Sequence, residues 1–276
     1  MDNQKKIILV TGASSGMGED FVKSLLKDGH IVYGAARRLE RMDAIKRAGA
    51  KVLDLDVTND ESMINCVATI IKNEKKIDIL VNSAGFGLNA AVEDVSIADA
   101  KYQFEVNVFG VARLIQLVLP HMRAQRSGKI INISSVAGKV SSPMAGWYHA
   151  SKHALEALSD SLRLETKQFG IDVVIIEPGS VKSEWGAIAM DKTFKISGDG
   201  PYKAMAKAYI ANVKAFDPKG SDPSVITNLL QKAIAAKKPK TRYAGGFMAV
   251  PLLIMRKLLS DKAFDAILLS QLKPKK

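Results

Sequence analysis

VTGASSGMG, residues 10–18, decides the fold. It lies between a run of strand length, KIILVT (6–11), and a helical pattern over 16–29. Gly12, Gly16 and Gly18 relieve crowding where the backbone turns sharply, and they let a phosphate approach main-chain N–H groups. The helix that follows adds the partial positive charge of its N-terminus. The spacing is G-x-x-x-G-x-G, not the G-x-G-x-x-G of the usual dinucleotide fingerprint. A glycine-rich turn alone is a weak signal. Between the first strand and the first helix of an alternating chain it is a stronger one.

The alternation continues outward from that loop. IVYGAA (31–36), KVLDLDV (51–57), IDILVNS (77–83), KIINISS (129–135) and IDVVIIEP (171–178) are continuous Val, Ile and Leu blocks. Such blocks suit parallel strands covered on both faces. Helical patterns fall at about 39–48, 59–75, 98–124 and 146–169. The expected fold is α/β, a doubly wound parallel sheet of Rossmann-like form in one domain. Residues 184–215 are expected to form a substrate lid, and 245–272 a helical C-terminal extension.

Composition narrows the function classes. The 276 residues are 47% hydrophobic, enough for a large core, and the single cysteine, Cys66, allows no disulfide within the chain. The start MDNQKKIILVTG has no signal-peptide pattern, and AGGFMAVPLLIM is too short to span a bilayer. A cytoplasmic protein is expected. Forty Lys and Arg against twenty-eight Asp and Glu give +12, with clusters at 237–242 and at the C-terminus. These read as solvated segments, so no nucleic-acid function is expected.

The second strand ends in Ala35, Ala36, Arg37 and Arg38. An acidic residue there would bind a ribose 2′-hydroxyl; arginine instead accommodates a 2′-phosphate through its planar fork of donors. NADP(H) is therefore the expected cofactor.

WYHASKHALEALSDSLRLE (147–165) places Tyr148 and Lys152 one helical turn apart on one face. This helix and YQFEVNVFGVARLIQLVLPHM (102–122) are apolar beyond the stripe needed to cover one sheet face. Another copy of the chain is expected on the second side, as a homodimer or homotetramer.

Over residues 5–183 the sequence resembles the short-chain dehydrogenase/reductases, in the order and spacing of their motifs. TGASSGMG is similar to the family's cofactor loop, which implies contacts from Gly12, Ser14, Ser15, Gly16, Met17 and Gly18. Asp56 and Val57 of LDLDV resemble the residues near the adenine. NSAG resembles the element after the fourth strand, bringing in Asn82, Ala84 and Gly85, with Ser83 in place of the usual small residue. EPGSVKS resembles the Pro-Gly-x-x-x-Thr segment through Pro178, Gly179 and Val181, with Ser183 in place of threonine.

The resemblance also implies a catalytic set of Asn107, Ser135, Tyr148 and Lys152. Tyr148 would exchange a proton with the substrate oxygen, and Ser135 would hydrogen-bond that oxygen. Lys152 would hold the nicotinamide ribose and lower the phenol's pKa from about 10. Asn107 would help hold a water path. The implied activity is oxidoreduction of a carbonyl and an alcohol.

Substrate choice is expected in FGLNAAVEDV (86–95) and in 184–202, with Met144 and Trp185 joining Ser135 and Tyr148, and the substrate is expected to be hydrophobic. His149 and His153 are read as structural, with no metal; His121 is read as a cap or surface group, and Cys66 as a packed residue. Leu252, Met255, Leu259, Phe264, Ile267 and Leu268 recur at helical intervals in the tail. Such a helix covers the body, a subunit contact or, less commonly, a membrane surface. The competing functions are a non-enzymatic NADP(H) sensor and a membrane-surface interaction protein on the same fold. A third competitor, a nicotinamide-recycling isomerase or dehydratase, is less expected, because the chain has little room for a large substrate domain.

Overall fold

Seven parallel strands form the centre of the computed structural model, in the order β3-β2-β1-β4-β5-β6-β7. The model describes residues 5–182 and 185–272, with side chains from 189 onward in the second stretch. The strands are β1 (Ile7–Thr11), β2 (Ile31–Ala36), β3 (Lys51–Asp54), β4 (Ile79–Asn82), β5 (Gly128–Ile133), β6 (Ile171–Pro178) and β7 (Arg242–Gly245). Six of them match the apolar runs. In the third and fifth runs the strand stops early, so Leu55–Val57 and Ser134–Ser135 lie in loops beyond the strand ends.

Helices α1 (Gly16–Lys27), α2 (Asp43–Arg47), α3 (Asp60–Glu74), α4 (Ile97–Phe104), α5 (Gly110–Gln125) and α6 (Gly146–Thr166) connect these strands. Two apolar layers sandwich the sheet. One joins Leu9, Leu80 and Ile130 to Ile70 of α3, Leu114 of α5 and Leu155 of α6. The other joins Ile8, Val81 and Ile131 to Phe21 of α1. Each such side chain removed from water contributes about 1.5–3 kcal/mol.

The pattern over 98–124 is not one continuous α-helix. Residues Glu105–Phe109 form a π-helical turn between α4 and α5. Such insertions occur mostly as single turns and frequently at functional sites; this one carries Asn107. The C-terminal third adds α7 (Trp185–Ser197), α8 (Lys203–Phe216), α9 (Ser224–Ala235), α10 (Ala249–Leu258) and α11 (Asp261–Gln271).

The chain order reverses between β1 and β4. Ligands of open α/β sheets bind beyond the C-terminal strand ends at such a switch point.

Candidate active site

The glycine loop closes onto that switch point. Gly12 sits at φ +71°, and a Cβ there would come within 2.9 Å of the Ala84 backbone. A Cβ on Gly18 would lie 2.3 Å from the Gly12 oxygen. Thr11 Oγ1 accepts from the N–H groups of Ser83 and Ala84, each at 3.0 Å, and so ties the 83–85 turn to β1.

A cleft of about 440 Å³ lies between these elements. Its walls include Gly12, Ser14–Gly18, Arg37, Arg38, Asp56, Val57, Ala84 and Gly85. Arg38 Nη2 lies 3.3 Å from both Ser14 Oγ and Ser15 Oγ, and Arg37 Nη1 donates to the Tyr102 hydroxyl at 2.9 Å. The dimensions, the close glycine backbone and the two guanidiniums fit a phosphorylated dinucleotide. Lys192 of α7 also lines the cleft, over the Phe86 ring at 4.8 Å. No motif marks that lysine in the sequence.

Asn82 ends β4, in register with Asn132 of β5. It is 2% exposed, donates from Nδ2 to Asn132 Oδ1 at 2.8 Å, and is absent from the cleft walls. Asn132 in turn donates to Ser159 Oγ at 2.8 Å. A side-chain amide buried in an apolar sheet needs partners, and this chain of bonds fixes β4, β5 and α6 in register. Ser183 lies outside the described residues, as does the side chain of Trp185.

Met17 connects the cleft to a second cavity of about 490 Å³. Ser135, Tyr148, Pro178, Gly179 and Val181 form part of its wall. The Tyr148 hydroxyl is hydrogen-bonded to Ser135. Burial raises the pKa of this phenol above its ordinary value, and the Ser135 bond pulls it back. That is opposite in direction to the expected effect of Lys152. The ammonium directs one of its donors to the Ile133 carbonyl at 2.9 Å. Burial pushes the Lys152 pKa down to about 8, opposed by the carboxylate of Glu156.

Asn107 and Lys152 meet under Gly85, where a Cβ would lie 3.2 Å from Asn107 Oδ1 and 3.8 Å from Lys152 Nζ. Asn107 Oδ1 accepts from Phe86 N at 3.1 Å, and its Nδ2 donates to Phe86 O at 2.9 Å and Ser151 Oγ at 3.0 Å. Ser151 donates to the Tyr148 carbonyl at 2.8 Å. The π turn, the 84–86 turn and the first turn of α6 are thus joined through one side chain.

The remaining cavity walls come largely from the C-terminal third: Tyr209, Phe216, Phe247, Leu252, Phe264 and Leu268 among others. The helical spacing of Leu252, Phe264 and Leu268 was the available signal. Met144, 3% exposed, packs with Ala91 and Ala206 rather than lining the cavity. The 86–95 loop contributes Phe86 and Gly87 to the dinucleotide cleft. Beyond them it anchors the helices above: Asn89 donates to Tyr209 at 2.7 Å, and Ala91 N to Ser197 Oγ at 3.0 Å.

His149 holds the loop before α6, accepting from Ser142 N at 3.2 Å through Nε2, with Nδ1 3.2 Å from Ala137 O. His121 lies inside α5, away from its last turn. Cys66 is buried, its thiol pKa pushed up to about 12 by desolvation.

The short chain dehydrogenase family model matches residues 6–192. This chain is a member of the short-chain dehydrogenase/reductase family. A 3-ketodihydrosphingosine reductase of Bacteroides thetaiotaomicron is 35% identical over 243 residues, covering 87% of each chain. An NADPH-dependent 3-dehydrocapnine reductase of Ornithobacterium rhinotracheale is 34% identical over 284 residues, covering 96% of each. The crystal structure of a short-chain dehydrogenase from Streptomyces avermitilis superposes with a TM-score of 0.80 at 32% identity, over 97% of this chain and 96% of that one. The short-chain dehydrogenase/reductases are nicotinamide-dependent oxidoreductases acting on small molecules, and this chain is an enzyme of that class.

Proposed function

We propose that the protein is an NADP(H)-dependent oxidoreductase that interconverts a hydrophobic ketone or aldehyde and its alcohol. The observation that carries this reading is the Tyr148–Ser135 hydrogen bond at the wall of an apolar cavity joined to the glycine cleft. When bound in the cleft, a nicotinamide nucleotide supplies or accepts the hydride.

The chain's own residues handle the proton and the oxygen. In reduction Tyr148 gives its hydroxyl proton to the carbonyl oxygen as negative charge develops there; in oxidation it takes that proton back. Ser135 donates to the same oxygen. Lys152 would hold the ribose hydroxyls of a bound nucleotide and keeps a positive charge beneath the phenol. The Asn107 side chain is committed to Phe86 and Ser151, so here it acts as a positioning residue.

Arg37 and Arg38 in the cleft support NADP(H), as does the NADPH dependence in one relative's name. In the cytoplasmic homodimer or homotetramer that is part of this proposal, Phe109 and Leu164, 55% and 68% exposed on the π turn and α6, would lie within a larger covered face. The test is NADPH consumption against ketones and aldehydes of increasing apolar length. The compounds in the two relatives' names, 3-ketodihydrosphingosine and 3-dehydrocapnine, head that panel. Turnover should exceed that on small ketones and that with NADH. Tight NADPH binding without turnover of any carbonyl would instead favour the sensor.

A further inference from the structure

The positive charge of the chain is not evenly distributed. Residues 185–276 hold 17 Lys and Arg against 6 Asp and Glu, a surplus of +11 of the total +12, whereas the first 184 residues hold 23 against 22. Charge asymmetry of this kind points to a polyanionic partner or surface.

The same third of the chain carries an unpartnered apolar stripe. Val250, Ile254 and Leu258 recur every four residues on α10 and are 50%, 52% and 75% exposed. Leu252, on the other side of α10, lines the cavity. The helix is therefore apolar on two sides, and only one is covered by the body. Exposed Lys257 borders the stripe, and α10 contains no carboxylate. Asp261, the nearest acid on α11, is paired with Arg256 at 2.7 Å.

The stripe continues toward the cavity mouth. Met248 and Phe216 line the cavity and are themselves 38% and 40% exposed. Lys219 Nζ stands 5.4 Å above the Phe216 ring. An apolar rim with ammonium groups around it is the arrangement of an interfacial amphipathic helix. A nucleic acid would be met by phosphate-facing cations with rings for stacking, and α10, although it carries Arg256 and Lys257, has no aromatic side chain. Three side chains are also too small a patch for a stable second-copy contact.

We propose that α10, with the mouth formed by Phe216 and Met248, docks on an anionic lipid bilayer. Val250, Ile254 and Leu258 enter the headgroup–acyl boundary, and Lys219 and Lys257 meet lipid phosphates. In the docked orientation the cavity opens toward lipid, so an apolar carbonyl compound reaches Tyr148 without crossing water. This last consequence rests on the proposed function; the docking itself does not.

The test is sedimentation of the full chain with vesicles of equal parts phosphatidylcholine and phosphatidylglycerol, and with phosphatidylcholine alone. Binding to the mixed vesicles should be about ten-fold tighter and should weaken with added salt. Ile254→Asp with Leu258→Asp should abolish it while Tm and NADPH binding stay unchanged. If that pair lowers Tm, Lys257→Glu is read in its place and should weaken binding several-fold. The proposal is overturned if the wild type does not sediment with mixed vesicles, or if variants at these positions sediment as it does. It is also overturned if the aspartate pair shifts the oligomer to a smaller species in analytical ultracentrifugation, or if RNA is bound while vesicles are not. Turnover of a water-soluble ketone, measured alongside, reports on the proposed activity whichever way the vesicle result falls.

Discussion

Lys152 Nζ donates to the main-chain oxygen of Ile133 at 2.9 Å and lies 6.0 Å from the centre of the Tyr148 ring. The cation is thus fixed by the end of β5, behind the phenol. Two groups in turn along α6, Tyr148 and Glu156, flank it at one-turn spacing on the same face. The consequences for activity follow from the charge each one carries.

The Lys152 amine is charged below its pKa of about 8 and neutral above it. Reduction that depends on the ammonium should therefore show kcat/KM falling as pH rises through about 8, since kcat/KM reports groups of the free enzyme. Lys152→Met should remove that limb and lower kcat/KM by roughly 100-fold at neutral pH. Glu156→Gln removes the charge that favours the ammonium, so the limb should move to lower pH. A pH–rate profile of the three proteins checks all of this.

Cofactor choice should follow the guanidiniums at the end of β2. Charge-assisted hydrogen bonds contribute about 1.5–3 kcal/mol, so Arg38→Ala should raise KM for NADPH by roughly 10- to 100-fold. KM for NADH should stay within a few-fold, which steady-state kinetics with both cofactors measures.

Asn107→Ala would strand Phe86 N without its acceptor and take one donor from Ser151 Oγ, which keeps its bond to the Tyr148 carbonyl. Each buried polar group so stranded costs about 1–3 kcal/mol, and denaturant unfolding should register a loss of that order. Because Asn107 positions the backbone beside Tyr148, kcat should fall more than KM rises, with Asn107→Asp recovering part of it.

Glu177, 4% exposed, has its pKa raised to about 7 by burial and by the neighbouring Glu156. A carboxyl raised in the folded state stabilises the fold fully below its unfolded pKa of 4.5, and that contribution is lost as pH rises through about 7. Glu177→Gln removes the titration. The variant should gain roughly 3 kcal/mol relative to the wild type between pH 4.5 and pH 8, seen as a flatter dependence of Tm on pH.

The parts of the fold that were legible were those where one local pattern decides the outcome. Continuous Val and Ile blocks can be satisfied only by strands buried on both faces, and six strands follow from them. The glycine loop was legible because a Cβ at Gly12 or Gly18 would strike backbone. β7 was not: RYAG has no apolar run, and it joins the sheet edge through pairing with β6 and through Arg242, which donates to Glu156 at 3.0 and 2.9 Å. The π turn is hidden because the apolar spacing of α4 and α5 continues through it. α9 carries Ile226, Leu230 and Ala233 at helical spacing, a readable stripe that no chemical motif accompanies.

At the site, the motif residues were legible by type and order, and their partners were not. Nothing in the spacing of Asn82 tells that Asn132 lies 2.8 Å away across the sheet. Nor does Y-x-x-x-K tell that the lysine bonds Ile133, because that contact depends on where β5 ends. The cavity walls from α8, α10 and α11 depend on how the last third folds back over Tyr148, a tertiary arrangement that local periodicity leaves open.

The central claim is that the Tyr148 hydroxyl moves the proton. Tyr148→Phe keeps the ring in its packing and deletes that one group. Single-turnover reduction of an apolar ketone by bound NADPH is the direct measurement. The rate should fall by roughly 100- to 10,000-fold, with the dissociation constant for NADPH nearly unchanged. A rate within a few-fold of the wild type would contradict it.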